Sequence, residues 1–429
     1  MSTRYQRSEE LLDRALKTIP LGSQTFSKSK TALPFGVSPF FVDRAKGSRM
    51  WDVDGNEYLD FVNALCCVTL GYCDPDIDAA VRRQMESGVT FSLPHRLETE
   101  VAEMLVEMIP CAEMVRFAKN GTDATSGAIR VARAYTGRER VAVCGYHGWQ
   151  DWYIGSTARD LGVPRAVKSL THTFQYNDID SLRRLFEQYP GEFAAVILEP
   201  MNAAYPKEGF LEGIRALASE RGALMVFDET ITGFRYANGG AQEYFGVTPD
   251  LATFGKGIAN GYPLSALVGK AEFMKVVEQI FFSGTFGGET LSLAAAKAVL
   301  TKLRKEPVVA TLKVRGQSIM DGVQDIIAAA KLGHVLNVSG HPSWSFLQFK
   351  EAPPFSNLEI KTLFMQEVFR RGVYTLGTHN LSYAHTDADV GILLACYRDV
   401  FASIARWLAD GSLREQLRCA PLVPLFKVR

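Results

Sequence analysis

Between residues 71 and 299 the chain alternates short apolar runs with longer stretches of helical period. The runs are MVRFA, RVAVCG, AAVILEP, ALMVFDE, LATFG and SALVG, bounded by polar residues or glycine. Apolar runs of this length, with little polar alternation, suit parallel strands buried on both faces. The pattern predicts an α/β sheet whose ligand site lies beyond the C-terminal strand ends. Ahead of this region the periodicity predicts a helix over residues 8–19, then the irregular segment PLGSQTFSKSKTALPFG. A hairpin follows, GSRMWDVDGNEYLDFVN, turning at Asp54-Gly55, where glycine accepts positive φ. Beyond about residue 303 the pattern is mixed, with an amphipathic helix over 358–371 and a short strand around Tyr374. The expected organisation is a large sheet domain over 71–305. Residues 1–70 and 306–429 are expected to form a smaller α+β domain.

At 429 residues the chain exceeds one small core. Lys plus Arg and Asp plus Glu number 47 each, so there is no electrostatic footprint for nucleic acid or an anionic membrane, and small molecules are the expected partners. No apolar run approaches the length of a membrane span, and MSTRYQRSEELLDRAL lacks the apolar centre of a secretory signal. The seven cysteines show no CxxC and no Cys/His cluster of zinc spacing. A cytoplasmic protein with reduced thiols and no metal is expected.

The strand ends carry the candidate chemistry. In VRFAKNGTDATSGAIRVARAYTGR an apolar strand meets Asn120-Gly121-Thr122 and then a helix with apolar residues at Ala128, Ile129, Val131 and Ala132. Main-chain N–H groups at such a start, with the Thr122 hydroxyl, suit a phosphate dianion, although a simply capped helix would read the same way. AAVILEP ends on Glu199-Pro200, and ALMVFDETITGFR closes a strand with Asp228 and Glu229. A carboxylate at that depth costs several kcal/mol unless it meets a cation or strong donor, and a structural ion pair would serve equally. LATFGKGIANGYPLSALVG sets Lys256 between two glycines, and CGYHGWQDW offers Tyr146. A phosphate cradle, an aromatic, a buried carboxylate and a lysine together suit a phosphorylated aromatic cation that condenses with an amine. Pyridoxal 5′-phosphate is that molecule: its aldehyde takes a lysine and its pyridinium nitrogen a carboxylate.

The ordered set NGTDATSGAIRVARAYTGR, YHGWQDW, FDETITGFR, FGKGIANGYPLSALVG and GTFGGETLSLAAA resembles the class III pyridoxal-phosphate-dependent aminotransferases of fold type I. Within that family it is most similar to the glutamate-1-semialdehyde 2,1-aminomutases, and the resemblance runs from the N-terminal helix to SYAHTDADV. It implies that Lys256 is the Schiff-base lysine and that Asp228 holds the pyridinium proton. Gly121 and Thr122 would bind phosphate, while Tyr146 and Thr230 would take opposite ring faces. Glu199 and Glu229 match acidic positions that support the site. Thr285 matches a threonine that reaches the phosphate of the neighbouring subunit, so a homodimer with shared sites is implied. Without the resemblance, Thr285 would be read as the start of the helix ETLSLAAAKAVL.

Three departures bear on the reaction. Lys28 stands where the aminomutases place an arginine facing a substrate carboxylate, and lysine lacks the bidentate fork. GIANGYPLSA replaces their glycine-triplet segment. Ala204 replaces an asparagine near the ring hydroxyl, with Asn202 close in sequence. The expected activity is therefore transfer of an amino group from a donor such as glutamate to a keto or aldehyde acceptor by a ping-pong Schiff-base cycle. The alternatives are an aminomutase and a catalytically idle binding protein of the same fold; intact Lys256 and Asp228 argue against the last. Lys28 and Trp149 are candidate substrate contacts, and Trp152, His95 and the loop GTHNLSY further candidates for the pocket wall.

Overall fold

The computed structural model describes residues 4–423, which form two compact units. The larger, from residues 66–69 and 75–309, is built on a seven-stranded sheet. Its strands are β1 (Met114–Ala118), β2 (Arg140–Cys144), β3 (Thr171–Thr173), β4 (Phe193–Leu198), β5 (Leu224–Asp228), β6 (Leu251–Phe254) and β7 (Ser265–Gly269), in the order β1-β7-β6-β5-β4-β2-β3. Neighbouring strands are parallel except at β7, which runs antiparallel to both β1 and β6. Every residue of β4, β5, β6 and β7 is buried, as their unbroken apolar runs require. SALVG thus departs from the parallel expectation: a strand buried on both faces reads alike in either direction. At the sheet edges β1 is half exposed, and β3 is a three-residue strand of Thr and His that the apolar pattern did not signal.

Helix α1 (Gly121–Thr136) lies on this sheet. Its Ala128, Ile129, Val131 and Ala132 join Val141, Val143, Ile197, Val226 and Leu267 in one core. Each fully buried Val, Ile or Leu contributes roughly 1.5–3 kcal/mol. Gly137, at φ 67°, ends the helix in the left-handed conformation that glycine adopts most cheaply.

The smaller unit takes residues 4–65, 70–74 and 310–423. Arg49–Asp52 and Glu57–Asp60 form the expected hairpin, flanked by Val42–Lys46 and, parallel to the last hairpin strand, Val373–Tyr374. A second, antiparallel sheet joins Leu336–His341, Trp344–Phe349 and Thr378–Asn380. The N-terminal helix spans Gln6–Ala15 and not 8–19. Its C-terminal end opens into turns, and Ile19 is extended because it precedes Pro20. The amphipathic helix is Asn357–Arg370, one residue from expectation at each end. No described helix is long and apolar enough to cross a membrane.

Candidate active site

The C-terminal ends of β2, β4, β5 and β6, with the start of α1, gather most of the expected groups. Asp228 ends β5 beside Thr253 of β6. Its Oδ1 accepts from the Thr230 hydroxyl at 2.6 Å, the Thr230 N–H at 3.1 Å and the Thr253 hydroxyl at 3.2 Å. Its Oδ2 lies 2.9 Å from His147 Nδ1. Burial pushes the Asp228 carboxyl up, but the hydrogen bond and charge of His147 and the two Thr230 donors outweigh it and hold the group below the usual carboxylate range.

His147 escaped the sequence reading. It is buried in the loop after β2, its Nε2 3.2 Å from the Cys144 carbonyl, so both ring nitrogens face acceptors, an arrangement that an imidazolium satisfies fully. The available signal was the pairing of Tyr and His in YHG directly after an apolar strand. Thr253 was missed too, though it is the one hydroxyl inside LATF.

Glu199 directly follows the neighbouring β4. Its Oε2 accepts from the Tyr146 N–H at 3.0 Å and from Asn202 Nδ2 at 3.1 Å. Burial raises its pKa, and the charge of Asp228 adds to the rise. Tyr146 itself is half exposed, with its ring edge-on to Tyr153. Glu229 does not join Asp228. It turns to the other side of the strand and accepts from the Ala241 N–H at 2.6 Å and the Gln242 N–H at 2.9 Å, capping the short helix Ala241–Phe245.

Gly121 and Thr122 open α1, and as at any helix start their N–H groups have no carbonyl one turn back. Thr122 is buried; its hydroxyl accepts from the Trp149 N–H at 3.3 Å and keeps its proton to donate. Lys256 follows β6 with a left-handed backbone, φ 42°. The glycines beside it make room for protein neighbours: a Cβ on Gly255 would sit 3.3 Å from Thr230 Cγ2 and 3.8 Å from Gly121 Cα, and one on Gly257 would sit 2.6 Å from Thr69 Oγ1. A Cβ on Gly121 would itself lie 3.0 Å from Thr230 Cγ2. The helix start, Thr230 and the lysine turn are therefore in packing contact.

Other expected residues lie apart from this cluster. Thr285 is exposed in the loop before the helix Thr290–Lys305, whose cap is Glu289, so it does not start that helix. Lys28 is exposed on a short turn, Phe26–Lys28, of the smaller unit. Trp149 is exposed, whereas Trp152 belongs to the core and donates to Ser126 Oγ at 2.9 Å. His95 caps the helix Arg96–Met108. Within GTHNLSY, His379 is buried in the smaller unit between Ser345 and Tyr397.

Residues 33–384 match the family model for class III aminotransferases. The chain belongs to this family. It is 36% identical to a 3-aminobutyryl-CoA aminotransferase of Cloacimonas acidaminovorans over 94% of this chain and 98% of that one. It is 35% identical to a glutamate-1-semialdehyde 2,1-aminomutase of Exiguobacterium sp. over 94% and 99%. Among solved structures it resembles the FumI protein of Sphingopyxis sp. MTA144, described in its PLP internal aldimine form, with 32% identity, 97% and 99% coverage and a TM-score of 0.88. An omega-transaminase of Sphaerobacter thermophilus is 30% identical, with 93% and 98% coverage and a TM-score of 0.83. The class III aminotransferase thus has fold type I and uses pyridoxal 5′-phosphate. Its donor set suits that molecule: a buried carboxylate held below its usual pKa, the N–H groups of a helix start beside a buried hydroxyl, and a lysine whose turn packs against that helix start.

Proposed function

We propose that this aminotransferase moves an amino group between two separate molecules, from an amino acid such as glutamate to a keto or aldehyde acceptor, with Lys256 as the reacting amine and Asp228 as the partner of the ring nitrogen. The observation that carries this reading is the contact between the Lys256 turn, Thr230 and the helix start, with Thr230 bonded to Asp228. Bound pyridoxal phosphate supplies a carbonyl that takes up amines and a protonated ring that draws electrons from the bonds of the captured carbon. The chain does the rest. Oδ1 of Asp228 already accepts three hydrogen bonds, so Oδ2, with a single contact to His147, is the oxygen available for a pyridinium proton. Gly121 and Thr122 would hold the phosphate, Tyr146 and Thr230 would flank the ring, and Glu199 would set the Tyr146 main chain. Lys256, freed when substrate amine replaces it, would carry a proton between substrate carbon and cofactor carbon.

Lys28 and Trp149 are our candidates for contacts with substrate. The likeness to a 3-aminobutyryl-CoA aminotransferase supports transfer between molecules, while the likeness to an aminomutase keeps the intramolecular amino shift as a second reading. We further infer a homodimer in which Thr285 of each chain completes the other's phosphate site; its exposure in a loop that does not cap the following helix supports this. An odd count of seven cysteines with no CxxC spacing fits a reducing, cytoplasmic setting.

Incubating the holoenzyme with glutamate should release its keto acid and bleach the cofactor's visible band, and a true acceptor should restore the band. Turnover of a vicinal amino aldehyde with no keto acid released from any donor would decide for the aminomutase. Borohydride trapping followed by peptide mapping should leave a pyridoxyl group on Lys256; its appearance on another lysine would overturn that assignment.

A further inference from the structure

Cys66 at φ 70° and Lys256 at φ 42°, two of the non-glycine residues of the larger unit with left-handed backbone, share one support. A left-handed backbone is strained for a residue with a Cβ and persists only where its surroundings over-determine it. Arg235, fully buried, donates from Nη2 to Thr69 Oγ1 at 3.2 Å and makes a longer contact, 3.4 Å, with the Cys66 carbonyl. Thr69, also buried, presses the same hydroxyl against the chain just past the lysine, where a Cβ on Gly257 would lie 2.6 Å from it. On the near side of the lysine, Gly255 meets Thr230 and Gly121. The lysine turn is thus closed between two walls. One is the start of α1 with the Asp228 strand end; the other is Thr69 braced by a buried guanidinium.

We propose that Thr69 and Arg235 are positioning residues for Lys256, holding the left-handed lysine turn from behind and so aiming its amine. Arg235 belongs to the segment FDETITGFR that also carries Asp228, so one loop supplies both the carboxylate and the brace for the amine. Neither residue reacts. Interiors are close-packed, and a shift of about 1 Å in a reacting group costs up to on the order of a hundredfold in rate, so the brace acts on turnover through geometry. The proposal rests on the reading of Lys256 as the reacting amine, but its geometric half stands on the cofactor-free protein.

The test compares Thr69→Val, which keeps the shape but removes the acceptor for Arg235, with Thr69→Ser, which keeps the acceptor. In cofactor-free protein, labelling of Lys256 by an amine-reactive reagent is followed by peptide mapping; in holoenzyme, kcat and donor KM are measured. Thr69→Val should label Lys256 several-fold faster and lose about tenfold in kcat with donor KM within about twofold. Thr69→Ser should match the wild type in both. Unchanged labelling in Thr69→Val overturns the brace, and so does a Ser variant as impaired as the Val variant. Faster labelling with wild-type kcat overturns the catalytic half of the proposal, whereas the reading of Lys256 fails separately, if borohydride traps the pyridoxyl group on another lysine. Arg235→Lys, checked for a cooperative melt, should fall between wild type and Thr69→Val; wild-type labelling in that folded variant counts against the guanidinium.

Discussion

Burial alone would drive the Asp228 carboxyl toward its neutral form, and His147 with Thr230 reverses that. A depressed carboxyl keeps its charge until the pH falls through its folded-state pKa. Removing His147 should therefore raise the Asp228 pKa and move the acid limb of the kcat profile to higher pH. His147→Gln tests this, since it keeps a donor toward Asp228 but removes the imidazole; a limb at the wild-type pH would contradict it. Asp228→Asn should lose on the order of a thousandfold in kcat, because a neutral amide no longer favours a protonated ring. Near wild-type turnover in a folded, cofactor-loaded variant would sink that role. Asp228 and Lys256 were legible because a charge at the end of an apolar strand and a lysine between glycines break their local patterns. His147 and Thr253 were not, since a lone polar residue carries no period. Glu229 looked as good as Asp228 on paper, yet successive strand residues point to opposite sides, and that alternation sends it to the helix at Ala241.

The six apolar runs became strands, whereas direction was invisible for β7 because antiparallel and parallel central strands bury the same residues. The loop after β2 was the least legible element. Its Gly145 and Gly148 both lie at positive φ, 108° and 105°, and both are pressed by site residues: a Cβ would meet Glu199 Oε2 at 2.5 Å and Thr122 Oγ1 at 2.3 Å. Those contacts are between distant segments, so nothing local announces them. Gly148→Ala should displace Thr122 and strain the backbone together. Apo-protein affinity for pyridoxal phosphate should fall at least about tenfold, while affinity for pyridoxal, which lacks the phosphate, should fall much less. Equilibrium dialysis with both ligands measures it. Equal losses would mean general disruption of the site and would contradict a specific role for Thr122 at the phosphate.

At the scale of the whole molecule, acid sensitivity and assembly are the open properties. His379 and His385 are buried in the smaller unit, and burial pushes each down to about 4. Both are neutral when folded and take up a proton near pH 6.5 when unfolded. Their contribution is thus present above about pH 6.5 and is lost as the pH falls toward about 4. Urea midpoints of the smaller unit's transition should drop between pH 7 and 5, and a flat profile there would show that these histidines are protonated without unfolding. Assembly is argued from the loop of Thr285. Phe281 and Phe286, on either side of it, are 82% and 58% exposed, a costly arrangement for a lone chain and a natural one for a twofold interface. If Thr285 serves the partner's phosphate, each site draws its lysine from one chain and its threonine from the other. Chains carrying Lys256→Ala are therefore mixed with chains carrying Thr285→Arg, both inactive alone. In a mixed dimer one site collects both defects and the other neither, so activity should return in proportion to mixed dimers, up to one working site in each. If every chain supplies its own threonine, each site keeps one defect, and mixing restores nothing.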